Sequence, residues 1–170
     1  MRNEGRPGDD ANPDIAAALR EGLRRLAKAV VVITCRHDGV RFAMAATAVT
    51  ELSMDPPALL ICVNRTASLH GPLSADADFC VNILRADQAE LAAACSGQAK
   101  GEARFATGRW RGEAHEPPWL EDAQASFVCR QRHALDYGTH RVVIGEVEAV
   151  RLCGGVDPLV YVDGRYTRVA

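Results

Sequence analysis

Apolar positions along the chain change their spacing from one block to the next. Ile15, Leu19, Leu23, Leu26 and Val30 recur every three or four residues, the period of an amphipathic helix with one face packed on the protein body. Asn12 before Pro13 reads as an N-cap with proline at the first helical position, and Asp14 suits the positive helix end. Upstream, residues 1–11 mix Gly, Pro and charge without apolar periodicity. The expected organisation is a flexible lead-in over 1–13 and a single domain over 14–170.

From Ala29 the blocks turn β-branched. Val30 to Cys35 and Arg41 to Thr50 flank Asp38-Gly39, the pattern of a hairpin. Ala58 to Val63 is short and wholly apolar, as a buried central strand requires. Ala67 to Ala75 is weakly helical, Phe79 to Leu84 reads as a strand, and Asp87 to Cys95 as an alanine-rich helix. Gly97 to Gly112 reads as loop with one helical turn near Phe105, and Glu116-Pro117-Pro118 forbids regular structure. Strands follow over Ala125–His133, Arg141–Leu152 and Leu159–Val162. Six or seven strands with a few helices predict a mainly β barrel with peripheral helices. A doubly wound α/β sheet needs a regular alternation that is missing after Gly97.

Composition narrows the classes. The 48% hydrophobic and 25% charged content is ordinary for a folded soluble protein, and 170 residues fit one domain. Twenty basic against 22 acidic residues leave a net charge of −2, and the basic residues form no stripe for nucleic acid. No apolar run approaches the ~20 residues that span a bilayer. The polar start lacks a secretory core, so the expected compartment is the cytoplasm. The six cysteines are scattered without a Cys-x-x-Cys, which argues against zinc. Most lie in apolar runs and read as small buried side chains.

Neither a Gly-x-Gly-x-x-Gly nor a Gly-x-x-x-x-Gly-Lys is present, so neither a Rossmann fingerprint nor a P-loop is available. Gly-x-Ser-x-Gly and His-Glu-x-x-His are absent as well. Instead, Phe42-Ala43-Met44-Ala45-Ala46-Thr47-Ala48-Val49-Thr50 leads through Asp55-Pro56-Pro57 into Leu59-Leu60-Ile61-Cys62-Val63-Asn64-Arg65. Later come Phe79-Cys80-Val81-Asn82-Ile83-Leu84, Arg104-Phe105, Trp110, Pro118-Trp119-Leu120, Gly138-Thr139-His140 before Ile144-Gly145-Glu146-Val147, Pro158-Leu159-Val160-Tyr161 and Gly164-Arg165-Tyr166. In order and spacing this series resembles the short-chain NAD(P)H:flavin oxidoreductases. Its Gly-Thr-His and Ala-Thr-Ala-Val forms look most like reductase components of the hydroxyphenylacetate monooxygenase and pyrimidine-utilisation type.

The resemblance implies a flavin-binding split β-barrel that forms a homodimer with flavin at the subunit interface. It implies NAD(P)H-dependent reduction of FMN or FAD, with reduced flavin passing to a partner flavin-dependent monooxygenase. The cofactor-binding positions it implies are Met44, Ala45, Ala46, Thr47, Ala48, Cys62, Asn64, Arg65, Ser68 and Phe79. His140 would be the catalytic contact to the nicotinamide, with Arg165 and Tyr166 clamping the coenzyme. The choices of FMN or FAD and of NADH or NADPH stay open, as does a non-catalytic split barrel that only binds flavin or a related cofactor.

The residues themselves fit this chemistry. A flavin site needs small side chains that let backbone donors and acceptors approach the ring, and polar or cationic groups for the ribityl phosphate. Ala43 to Ala48 supply the first, and Asn64, Arg65, Thr66 and Ser68 the second. The same segments also fit a strand-end loop with ordinary turn residues. Likewise His140 fits a half-buried histidine after a turn, His70 a solvated helix start, and Trp110 and Trp119 loop packing. Two positions depart from the family pattern: Ala45, where a Thr is common, and Glu51, where a Ser is common and where a carboxylate would repel phosphate.

Overall fold

The computed structural model describes residues 13–169. Apart from Pro13, the expected lead-in lies outside the described residues, as does the Asn12 cap. Helix α1 (Pro13–Leu23) precedes β1 (Lys28–Ala29), β2 (Val31–His37), β3 (Val40–Ala46), β4 (Val49–Met54) and β5 (Pro57–Asn64). Next come α2 (His70–Ser74), β6 (Phe79–Ile83), α3 (Ala89–Ala93), β7 (Trp110–Arg111) and β8 (Trp119–Leu120). The chain ends in β9 (Ala125–Tyr137), β10 (His140–Leu152), β11 (Leu159–Val162) and β12 (Arg165–Arg168).

Seven strands form one antiparallel sheet in the order β3-β2-β6-β9-β10-β5-β4. Its two edge strands, β3 and β4, are joined only by Thr47 and Ala48. The sheet must therefore curl until its edges meet at this two-residue link, and the Cys62 amide, donating to the Ala48 carbonyl at 3.0 Å, extends the β4–β5 ladder up to the link. The result is a split β-barrel with peripheral helices. The single strand expected from Arg41 to Thr50 is thus two strands, one on each edge, with the bend at Thr47-Ala48. The Asp38-Gly39 turn is as expected, with both residues at positive φ (50° and 76°), the conformation of a tight two-residue hairpin.

β2 is buried on both faces because it separates two cores. Val31, Ile33 and Cys35 point into the barrel with Ile61, Val63, Phe79 and Val143. Val30 and Val32 point outward into a second layer with Leu84, Leu91, Phe105, Leu120 and Leu159. A buried polar knot pins this outer layer to the barrel. Asn82 donates to the Val32 carbonyl at 3.0 Å and accepts from the Leu120 amide at 2.8 Å and the Ser126 hydroxyl at 2.9 Å.

Three expectations change. The helix expected from Ile15 to Val30 ends at Leu23, and its apolar stripe does not pack on the body: Ile15, Leu19 and Leu23 are 66%, 60% and 46% exposed, Leu26 lies beyond the helix, and Val30 is buried in the second core. β9 runs past His133 to Tyr137, where it pairs only with β10, and Arg130–Glu148 (2.7 Å) and Arg132–Glu146 ion pairs bridge the two strands. A terminal strand, β12, pairs with β11 where only a Gly-Arg-Tyr motif stood out in the sequence.

Candidate functional site

The seam between β3 and β4 opens to solvent because its side chains are small. Ala45, Ala46 and Thr47 line a cleft of about 300 Å³ with Ser96, Tyr161 and Tyr166. Thr47 and Ala48 line a second of about 420 Å³ with Lys28, Leu60 and Cys62. Thr47 also borders a third, of about 600 Å³, between α1 and the β11–β12 turn. Three adjoining clefts therefore share Thr47. Met44 is nearby but packs against the barrel core. The Tyr166 hydroxyl lies 3.4 Å from Ser96 Oγ, and its ring meets Tyr161 edge-on at 5.5 Å. Arg165 is exposed and lines none of the three clefts.

A polar cluster sits at the end of β5, two residues beyond Cys62. Asn64 Oδ1 accepts from the Thr66 amide and hydroxyl, both at 2.9 Å, and shapes the loop. His140 stands opposite Asn64 on one side and Tyr137 on the other, so the three share one face of the sheet. Its side chain is exposed rather than half-buried, with Nδ1 2.9 Å from Thr139 Oγ1. His140 and Tyr166, both expected at the coenzyme, belong to different sheets. Arg65 leans toward the β9–β10 hairpin, donating its amide to the Thr139 carbonyl at 3.0 Å and pairing with Asp136 at 3.8 Å.

Ser68 is held by a residue the sequence reading passed over. Arg104 Nη1 donates to Ser68 Oγ and to the Ala43 carbonyl, both at 2.7 Å, and Nε donates to the Ala99 carbonyl at 3.0 Å. One guanidinium thus ties the loop after β5 to the strand that carries Ala45–Thr47. The only signal for it was the Arg104-Phe105 dipeptide.

Phe79 is corrected from cofactor contact to core. Its side chain has no exposed surface, and its ring lies under Gly145 in the barrel interior. Glu51 pairs with Leu59, five residues along β5 from Asn64, or ~17 Å at the rise of a strand. It is too far away to repel a phosphate at Ser68. His70 is half-buried rather than solvated, and its Nε2 is buried without a partner among the described residues. Trp110 packs edge-on to Phe105 at 5.1 Å, and Trp119 lies under the Arg151 guanidinium at 4.3 Å, both as loop packing.

All six cysteines are free thiols. Burial pushes Cys35 and Cys129 up to about 12 and Cys95 to about 11, and it raises Cys80 as well. These four stay protonated at neutral pH and are poor nucleophiles. Cys62, half-exposed in the cleft, is the thiol nearest the seam.

Small side chains at a strand end, neighbouring hydroxyl, amide and guanidinium groups, and clefts in the usual range for small ligands all suit a planar heterocycle with a phosphate tail. The flavin reductase like domain matches residues 23–170. The chain belongs to that family. Its relatives include an FMN reductase (NADH) RutF of Variovorax paradoxus, 39% identical over 154 residues that cover 91% of this chain and 86% of the relative. Another is the reductase component of an FADH(2)-dependent resorcinol hydroxylase of a Rhizobium species, 39% identical over 150 residues, covering 87% and 84%. Among solved structures, the NADH:FAD oxidoreductase of Streptomyces globisporus in complex with NAD and FAD fragments superposes with a TM-score of 0.84 at 27% identity. That likeness spans 96% of this chain and 98% of the other.

Proposed function

We propose that the protein reduces FMN with NADH and releases the reduced flavin to a separate flavin-dependent oxygenase. The observation that carries the reading is the trio of clefts meeting at Thr47, on a strand end built of Ala45, Ala46 and Ala48. NADH and FMN are favoured because relatives at 39% and 41% identity are named for that pair. An oxygenase partner is supported by the relative that serves a resorcinol hydroxylase.

In this reading Ala45–Ala48, Cys62 and Tyr166 hold the ring, and Asn64, Ser68 and a cation near them hold the ribityl phosphate. Bound flavin supplies the acceptor for two electrons and a proton delivered as hydride. The chain contributes proximity and orientation rather than a nucleophile. Main-chain amides at the seam are fixed dipoles that favour added negative charge without reorganising. His140 donates a hydrogen bond to the coenzyme, and the exposed Tyr137 and Asn64 flank it.

The protein works as a homodimer, since the α1 stripe and the outward Leu60, Cys62, Val142 and Ile144 leave apolar surface for a second copy. Residues 14–170 act as one catalytic domain. The working compartment is the cytoplasm; no helix among the described residues is long and apolar enough to cross a membrane. The test is loss of reduced nicotinamide absorbance with NADH or NADPH, each with FMN or FAD. Flavin-dependent turnover fastest with NADH and FMN is expected. Flavin binding without turnover in any combination would leave the binding-only reading.

A further inference from the structure

We propose that Arg104, not Arg65, is the cation that binds the flavin phosphate, and that it fixes the spacing between phosphate loop and ring strand. This rests on the flavin reading above. Sequence order points to Arg65, because it follows Asn64 directly. The structure turns its guanidinium toward Asp136 at 3.8 Å, and Asp136 also pairs with Arg141 at 3.1 Å. Arg65 is thereby a strut between the β5 loop and the hairpin arm, sharing one carboxylate with Arg141.

Arg104 is in the opposite condition. Its three acceptors, the Ala43 and Ala99 carbonyls and Ser68 Oγ, are all neutral. Glu102, the carboxylate on the same turn, is engaged by Arg41. Among the described residues no ion pair involves Arg104, so a half-buried positive charge is left uncompensated beside Ser68. A guanidinium carries five N–H donors in a rigid fork. The contacts above use Nε and Nη1 and leave Nη2 with both of its donors. Ser68 accepts from Arg104, so its own proton can go to a phosphate oxygen. A guanidinium edge beside a hydroxyl proton is the arrangement a phosphate takes with the strongest hydrogen bonds.

The geometry also sets a length. Arg104 grips β3 at Ala43, four residues before Thr47, or ~13 Å along the strand. Phosphate at Ser68 would then be anchored beside Ala43, with the ring further along the same strand at Ala45–Thr47. FMN and FAD share the phosphate that this site would hold.

The test is binding, read by flavin fluorescence at equilibrium, with riboflavin, FMN and FAD against the full chain. Wild type should bind FMN more tightly than riboflavin. Arg104→Gln should weaken FMN and FAD about 10- to 100-fold, the range for a lost charged hydrogen bond, and leave riboflavin nearly unchanged. Arg65→Gln should keep the wild-type ratio. Ser68→Ala, which removes only a hydroxyl, should show a smaller loss of the same selectivity and stands in if Arg104→Gln does not fold. Loss of the FMN preference in Arg65→Gln but not in Arg104→Gln overturns the assignment. Equal weakening of riboflavin and FMN by Arg104→Gln overturns it too, since that is the signature of a strut alone. A wild type that binds flavins but ignores the phosphate refutes this proposal only, whereas one that binds no flavin refutes the flavin reading with it.

Discussion

Replacing Gly145 with Ala tests whether the barrel interior is packed as described. A Cβ built there meets Phe79 Cζ at 2.4 Å, Cε1 at 2.6 Å and Cys129 Cβ at 2.8 Å. Carbon contacts are most favourable at roughly 3.5–4.0 Å, so the ring would have to retreat by about 1 Å. It has nowhere to go, because Phe79 and its neighbours Ile33, Ile61, Val63 and Val143 are fully buried. Overpacking of this kind costs about 1–3 kcal/mol, and a rigid ring between two strands belongs at the upper end. Phe79→Leu alone should cost less than the about 3–5 kcal/mol of a Phe→Ala truncation. Combined with Gly145→Ala it should cost clearly less than the two singles together, with a coupling of about 1–2 kcal/mol. Urea unfolding followed by circular dichroism, at one protein concentration, measures all four proteins. A Gly145→Ala variant within about 0.5 kcal/mol of wild type, or strictly additive singles, would show that the ring does not hold this position.

Other outcomes follow from the same contacts. Asn82→Ala removes the centre of the buried knot and takes the side-chain partner from the Val32 carbonyl and the Leu120 amide, while the Ser126 hydroxyl keeps the Leu120 carbonyl at 3.2 Å; thermal or urea unfolding should register a loss of about 2–4 kcal/mol. A thiol reagent should modify Cys62 and Cys153 in the native protein and the other four cysteines only on unfolding, with FMN slowing Cys62 but not Cys153. Stability should fall above pH 9: the unfolded thiols ionise there, while the folded ones, raised by burial, keep their protons until pH 11 to 12. Each such thiol contributes a slope of about 1.4 kcal/mol per pH unit in that window, and a flat alkaline limb in urea titrations would contradict it. His140→Ala should raise the NADH KM or slow flavin reduction while FMN affinity stays near wild type, and unchanged kinetics would remove His140 from the coenzyme site.

Local chemistry made much of the fold legible. Val31 to Cys35 is β-branched and nearly all apolar because β2 faces a core on each side, and the tight turn at Asp38-Gly39 is written in two residues. The split at Thr47-Ala48 was not legible. Nothing local ends a strand there, and the break exists only because the sheet's two edges must meet. The helical period holds for Ile15, Leu19 and Leu23 but not for Leu26 and Val30, because an apolar spacing marks neither where a helix ends nor what covers its face. The candidate site divides the same way. Ala45–Ala48 and Asn64 stand out because small and hydroxyl or amide side chains cluster in sequence. Arg104 lies 36 residues from Ser68, and only the fold brings them to 2.7 Å. Phe79 misled because a motif shared with a family of cofactor enzymes looks the same whether it contacts the ligand or fills the barrel.

The central claim, hydride transfer from NADH to FMN on this chain, is tested most directly by anaerobic mixing. NADH is added to the protein with FMN while the visible absorbance of oxidised flavin is followed. The account predicts bleaching at a rate that saturates with NADH, and a reduced flavin that then passes freely through an ultrafiltration membrane. Oxidised flavin that persists with both NADH and NADPH, on protein that binds FMN, would contradict it.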